Sequence, residues 1–297
     1  MVDFEGKKSV FFVRKKIIPA NTIVHIIQRA PGKEMLFLEK GDYYYLMKLL
    51  KETSSKFNME VFCFSLMPNH FHLLVRFLED NASLAIKNLC ERYAWFLNLK
   101  YKRKGHVFYG AYRASICLDD TYLLASSLYI HMNSVKARLA LDPFEYQWSS
   151  APFYAENFEA KTFIKYQFIL EVIDENIEKA RKIYRKLLKE SLRIKTGNAI
   201  EDYKVLRILR RKLLLSFSKL DNIAKGNKNA LDSVLLEKKI TEYTELRKFR
   251  NPQSRKAKAY LIQQLRSNGY NTEDIAELLS ISKRAIYKIL SQLKFTK

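Results

Sequence analysis

The chain has 297 residues, of which 48% are hydrophobic and 28% charged, and these fractions are typical of a globular protein with a sizeable core. Its 53 basic and 31 acidic residues give a formal net charge of +22, which favours a polyanionic partner. No apolar run approaches the roughly 18 residues that a spanning helix needs, so membrane insertion is excluded and nucleic acid is the favoured partner.

The basic surplus is concentrated in the second half of the chain. Residues 1–160 carry 21 basic and 16 acidic side chains, a net charge of +5, whereas residues 161–297 carry 32 and 15, a net charge of +17. We therefore predict two domains, 1–160 and 161–297. The three cysteines lie far apart without a CxxC motif, and the N-terminus has no apolar signal region, so we expect a cytoplasmic protein.

Strand-like and helix-like segments alternate in the first part. Strands are predicted over residues 22–28, 60–65, 71–77 and 107–118, the last with Gly110 as a bulge. Helices are predicted over residues 41–54, 83–101 and 119–139, and Asp119 or Asp120 would cap the third. This order predicts an α+β sandwich, in which an antiparallel sheet has helices packed on one face. The second part is predicted to be all-α, with basic amphipathic stretches over residues 174–193 and 200–218.

The stretch Pro68-Asn69-His70-Phe71-His72 carries the most chemical information. Side chains alternate along a strand, so His70 and His72 share one face, where two imidazoles can chelate a single divalent ion. The alternative is two polar residues on the solvent side of a half-buried strand.

Tyr129 and Asn133 lie four residues apart in the third predicted helix, and therefore on the same helix face. An amide oxygen from Asn133 would be a third metal ligand, and the Tyr129 phenol would be a nucleophile close to the ion. The alternatives are ordinary core packing for Tyr129 and a C-terminal helix cap for Asn133. His131 falls on a different helix face, and we interpret it as structural.

These stretches resemble a known family, the single-tyrosine HUH transposases of the insertion-sequence type, in particular the REP-associated tyrosine transposases. The resemblance is carried by MPNHFHLLV at 67–75, YIHMNSVKA at 129–137 and QWSS at 147–150, with weaker support from VHIIQR at 24–29 and FYGAYR at 108–113. The sequence departs from the family pattern in two places: Ser134 replaces the usual Pro, and residues 30–33 replace a common Gly-Asn run.

The resemblance implies a ferredoxin-like catalytic domain. It places His70 and His72 on the metal-binding histidines, Asn133 on the third metal-coordinating position and Tyr129 on the nucleophile, with Mg²⁺ or Mn²⁺ as the cofactor. Members cleave and rejoin single-stranded or hairpin-forming DNA through a covalent 5′-phosphotyrosine and leave a free 3′-OH.

The C-terminal residues, about 255–294, read as a helix-turn-helix that would bind duplex DNA. Thr272 and Ser282 would cap its two helices, and Lys283, Arg284, Tyr287 and Lys288 of the second helix would face a major groove. The alternative is a plain three-helix cap with a solvated basic face. A further basic run could track phosphates: Arg181, Lys182, Arg185 and Lys186.

Two other functions remain open from the sequence. The first is a helix-turn-helix regulator whose HUH domain is catalytically inactive. The second is another HUH nuclease, although relaxases usually place the tyrosine ahead of the histidines and the larger replication initiators often carry a helicase. A homodimer is also kept as an alternative to a monomer.

Overall fold

The computed structural model describes residues 18, 20–32, 34–117, 120–155, 161–194, 205–206, 208–210, 212–213, 259, 261–266, 270–279 and 281–294. Side chains are described up to residue 289, except at residue 278. No helix within these ranges is long and apolar enough to cross a membrane.

A four-stranded antiparallel sheet forms the centre of the first part. The strands are β1 (Thr22–Arg29), β2 (Met59–Met67), β3 (His70–Phe77) and β4 (Arg113–Ile116), in the order β2-β3-β1-β4. Both β1 and β2 pair antiparallel with β3, which lies between them. This is the split βαβ arrangement of ferredoxin-like folds, so the predicted α+β class and antiparallel sheet are confirmed.

The sheet has helices on both faces, so the expectation of helices on one face is wrong. Helix α1 (Lys40–Lys56) connects β1 to β2, and helix α2 (Ala82–Lys100) connects β3 to β4. In each case one other strand of the sheet lies between the two connected strands. Tyr93 of α2 contacts the ring of Phe108, which in turn contacts Phe71. Helix α3 (Asp120–Lys136) packs against the opposite face, where Tyr129 meets His72. Neighbouring residues on β3 point to opposite faces of the sheet, so Phe71 faces the layer of α1 and α2 and His72 faces α3.

Three further helices extend the layer that contains α3: α4 (Ala151–Ala155), α5 (Tyr166–Glu171) and α6 (Ile177–Leu192). Ile164 forms a parallel bridge with Val61 of β2. Residues of α5 and α6 belong to the same hydrophobic core as the sheet. The change in charge near residue 160 therefore does not coincide with a break in packing, and the division into two functional domains stays a prediction.

The fourth strand is shorter than the predicted strand over residues 107–118. Only Arg113–Ile116 pair with β1, and residue 118 lies outside the described residues. Gly110 is not a bulge, since it lies in the irregular segment before the strand with φ +63°. This left-handed conformation suits glycine and explains why the chain cannot continue as a strand through this point.

The C-terminal part contains helical residues 261–266, α7 (Thr272–Leu278) and α8 (Lys283–Lys294). Five buried side chains form a core separate from the first: Ile262, Leu265, Ile275, Leu279 and Ile286. Asn271, not Thr272, is the N-cap of α7, because its side chain accepts a hydrogen bond from Asp274 N. Ser282 Oγ accepts from Ala285 N at the start of α8. Most of the predicted helix over residues 200–218 lies outside the described residues, and its described residues are helical.

The second part contacts the open edge of the sheet through Gln264. Ile116 N donates to Gln264 Oε1 at 2.8 Å, and Gln264 Nε2 donates to Ala114 O at 3.0 Å. One side-chain amide thus satisfies a donor and an acceptor of β4, the outer strand next to β1.

Candidate functional site

The two histidines of β3 lie side by side in the interface between the sheet and α3. Their ring centroids are 5.0 Å apart with the planes at 78°. His72 is fully buried, and His70 is mostly covered. The turn Pro68-Asn69 precedes them, and the amides of Leu36 and Phe37 both donate to Pro68 O, which holds this turn in place.

Each imidazole of the pair has its Nδ1 atom engaged. Asn69 Oδ1 accepts a hydrogen bond from His70 Nδ1 at 2.7 Å, which leaves the lone pair on Nε2. His72 Nδ1 lies 3.0 Å from His25 Nε2. His72 Nε2 is buried without a hydrogen-bond partner among the described residues. A buried nitrogen of this kind is costly unless something binds to it.

Burial keeps these imidazoles neutral. Desolvation lowers the pKa of His25 to about 3 and the pKa of His72 well below its usual value. Desolvation and the nearby positive charge of Arg29 lower the pKa of His70 to about 4. A neutral imidazole carries the lone pair that a metal ligand needs, so the electrostatics of the site favour cation binding at neutral pH.

Tyr129 lies directly against the histidines. Its side chain is only 3% exposed, and its ring meets His72 edge-on at a centroid distance of 5.9 Å. The ring of His25 is 6.1 Å away, also edge-on. The structure therefore brings together the predicted nucleophile and the predicted histidine pair, which are separated by 57 residues in the sequence.

Asn133 lies one helical turn after Tyr129 on α3. It is partly buried, and its Nδ2 atom is buried without a hydrogen-bond partner among the described residues. Helix α3 continues to Lys136, and Asn133 O accepts from Ala137 N as part of the helical pattern. Asn133 is therefore not a C-terminal cap, and the alternative interpretation of this residue is wrong.

The residue types of the predicted ligand set suit a divalent cation that accepts both nitrogen and oxygen ligands. Among the described residues, no group of three or more His, Cys, Asp or Glu is placed to hold a metal ion. A metal centre here would consist of two imidazole nitrogens and the amide oxygen of Asn133. That mixed set suits Mn²⁺ or a tolerant Mg²⁺ site better than a soft metal.

His25 is the residue of this site that sequence reasoning missed. Its strand was predicted correctly, but its contact with His72 depends on β1 lying next to β3 in the sheet. His25 and His72 are not directly opposite each other in the ladder. Ile27 lies opposite His72, and His25 lies opposite Leu74, two residues farther along β3. Alternation along β1 places His25 and Ile27 on the same face, which was the available signal.

His131 takes part in a separate buried network. Its Nδ1 atom is 2.7 Å from Tyr184 Oη, and its Nε2 atom is 2.8 Å from Ser150 Oγ. The two ring nitrogens thus join α3 to α6 and to Ser150, the residue just before α4. This geometry agrees with the structural interpretation of His131.

The predicted DNA-contacting residues differ in exposure. Lys283, Arg284, Tyr287 and Lys288 are exposed on α8, and Lys283 forms an ion pair with Glu273 of α7. On α6, Lys182, Arg185 and Lys186 are exposed. Arg181 is not exposed as the predicted contact with DNA requires. Its side chain is buried, donates to Phe153 O and lies over the ring of Tyr166, because it is on the apolar face of the helix.

Comparison with known families matches residues 20–133 to the family described as "Transposase IS200 like". This segment contains the histidine pair, Tyr129 and Asn133, and the match confirms the resemblance to insertion-sequence transposases. A similar solved chain is described as "Structure of the REP associates tyrosine transposase bound to a REP hairpin". It has 14% sequence identity and a TM-score of 0.40, over 46% of this chain and 80% of that chain. Comparison with curated proteins found no significant match.

The buried imidazoles predict a stability that depends on pH. The folded-state pKa values of His25 and His131 are both about 3, below the unfolded value of about 6.5. The unfolded chain therefore binds more protons between about pH 6.5 and pH 3, and stability is lost as the pH falls through this range. We expect each residue to cost roughly 1 kcal/mol of unfolding free energy at pH 5.5 relative to pH 7.5.

Urea unfolding at the two pH values, in EDTA, measures this loss. The variant His131→Gln should show a smaller loss than the parent chain, whereas His106→Gln, which removes an exposed imidazole, should show the same loss. An equal loss in the parent and in His131→Gln would contradict the prediction.

Proposed function

We propose that the protein is a DNA strand transferase of the REP-associated kind, which cleaves and rejoins single-stranded DNA beside hairpins. Tyr129 would be the nucleophile, and His70, His72 and Asn133 would hold a Mg²⁺ or Mn²⁺ ion. The observation that carries the proposal is the edge-on contact of Tyr129 with His72 inside a buried interface. The family match over residues 20–133 supports a transposase function at the coarser level.

The bound ion would polarise the scissile phosphodiester and offset the negative charge that develops during the reaction. The chain's own contribution is orientation. Burial keeps the imidazoles neutral, and the hydrogen bond from His70 to Asn69 leaves His70 Nε2 available as a ligand. His25 Nε2 contacts His72 Nδ1 and so holds the ring of His72. His72 Nε2 is then the atom available for a ligand.

The reaction assigned to Tyr129 is a transesterification. Its phenol loses its proton as the oxygen attacks phosphorus. The bond from phosphorus to the 3′-oxygen breaks, the 3′-oxygen takes up a proton, and the 5′-phosphate remains on Tyr129. Attack by a 3′-OH reverses these steps and restores the phenol. The phosphoester bond is conserved throughout, so no nucleotide triphosphate is needed, in agreement with the lack of a GxxxxGK[ST] motif in the sequence.

The C-terminal part would place the enzyme on duplex DNA beside the hairpin. Helix α8 exposes Arg284, Tyr287 and Lys288 while Ile286 is buried against its neighbouring helices. This division between a core face and a basic face is what a recognition helix requires. A regulator with an inactive first part would use the same surface, so a test of the chemistry separates the two functions.

The variant Tyr129→Phe is expected to abolish covalent DNA adducts while DNA binding is retained, because it removes only the attacking oxygen. The assay incubates the full chain and Mn²⁺ with hairpin DNA carrying a single-stranded flank, labelled at either end. A labelled protein band in denaturing gels reports the adduct. Tyr122→Phe makes the same chemical change on the same helix and should retain the adduct. An adduct with Tyr129→Phe would disprove the nucleophile assignment, and none with the parent chain would favour the regulator.

Metal binding separates the roles of the histidines. We expect His70→Ala to remove high-affinity Mn²⁺ binding, since it deletes a ligand. His25→Leu should weaken binding about 10- to 100-fold by releasing the ring of His72. Titration of free Mn²⁺ by electron paramagnetic resonance measures this without DNA or turnover, with His106→Gln as the control. Unchanged binding in His70→Ala would overturn the metal assignment.

A further inference from the structure

Arg29 and Tyr109 form a charged aromatic pair beside the histidines. Arg29 is the last residue of β1 and lies directly opposite His70 in the ladder. Opposed residues of an antiparallel pair project from the same face, so Arg29 shares the face of the two imidazoles. Its Cζ atom lies 4.8 Å from the centroid of the Tyr109 ring. The pair therefore borders the candidate metal centre.

The positive charge of Arg29 is not neutralised within the described parts of the chain. No carboxylate of these residues forms an ion pair with Arg29, which is only partly buried. Arg76, farther along the same face, provides the contrast, because its guanidinium is paired with Glu60 at 2.5 Å. A partly desolvated guanidinium without an acidic partner has a strong tendency to bind an anion.

Tyr109 is held in place although its side chain is 58% exposed. Tyr109 N donates to Arg29 O at 2.8 Å, and Gln28 Nε2 donates to Gly110 O at 3.2 Å. Two consecutive residues of this segment are thus bonded to the end of β1. An exposed ring on a fixed backbone can stack on a ligand with little further loss of conformational freedom.

We propose that Arg29 and Tyr109 form a subsite for the unpaired nucleotide next to the phosphate that Tyr129 attacks. The guanidinium would bind phosphodiester oxygens, and the exposed side of the Tyr109 ring would stack on a base. An unpaired base presents both of its faces, whereas a base inside a duplex is already stacked, so this pair selects single-stranded DNA. The inference rests on the proposed function for the position of the attacked phosphate, but its test does not require catalysis.

The test measures binding of fluorescent hairpin DNA with a single-stranded flank, in EDTA, to full-length Tyr129→Phe and to double variants built on it. Adding Arg29→Gln is expected to weaken binding about tenfold and to lower the salt dependence by about 0.7 in log–log slope. Adding Tyr109→Leu should weaken binding about tenfold through the loss of stacking, whereas Tyr109→Phe should bind like the parent. A blunt hairpin without the flank should show none of these differences.

Arg92→Gln is the matched charge control. It also removes one guanidinium, but Arg92 is paired with Glu52 on the helical layer of the opposite face, so binding should be unchanged. Equal losses in Arg29→Gln and Arg92→Gln would show a general charge effect and overturn the subsite. Losses that persist with the blunt hairpin would assign the pair to duplex DNA, which also overturns it.

Folding and function are separated by two further comparisons. Tyr109→Leu alters an exposed side chain and tests the subsite even if Arg29→Gln fails to fold. If the parent chain forms covalent adducts but neither substitution changes binding, the subsite is wrong and the proposed function stands. If no adduct forms but both substitutions weaken binding to the flank, the subsite stands and the proposed chemistry is wrong.

Discussion

The arrangement of the site depends on the burial of the His72 side chain between the sheet and α3. This ring touches His25 on the neighbouring strand, His70 on its own strand and Tyr129 on the helix. Removal from water keeps it neutral and leaves one nitrogen without a partner among the described residues. Burying these polar side chains costs stability, which the surrounding hydrophobic core offsets.

The two faces of the sheet have different physical roles. On one face, Phe71 lies beneath an apolar layer in which aromatic rings of α2 and the following segment make successive contacts. On the other face, His25, His70 and His72 of the sheet lie beneath α3. Above them, Tyr184 of α6 is hydrogen-bonded to two residues of α3, His131 and Ser127. Close packing on the first face makes the sheet rigid, and a rigid sheet holds the imidazoles of the second face in fixed relative positions.

Local patterns in the sequence predicted most of the elements and part of the site. Alternation along β3 and the spacing of Tyr129 and Asn133 depend only on neighbouring residues, and both could be recognised from the sequence. The pairing of His25 with His72 depends on strand order, which periodicity does not contain. The burial of Arg181 could not be distinguished from exposure by charge alone, because its guanidinium finds a carbonyl and an aromatic ring in the folded chain. Strand β4 begins later than predicted because Gly110, three residues before it, adopts a left-handed conformation that the strand-like composition of this segment does not indicate.

The amide of Gln264 has a consequence for self-association. An outer strand with free donors and acceptors can template the addition of a strand from another molecule. Here Ala114 and Ile116 are already satisfied by a side chain that arrives from near the far end of the polypeptide. A chain truncated before residue 259 would leave this donor and this acceptor free and would gain a route to intermolecular β-pairing.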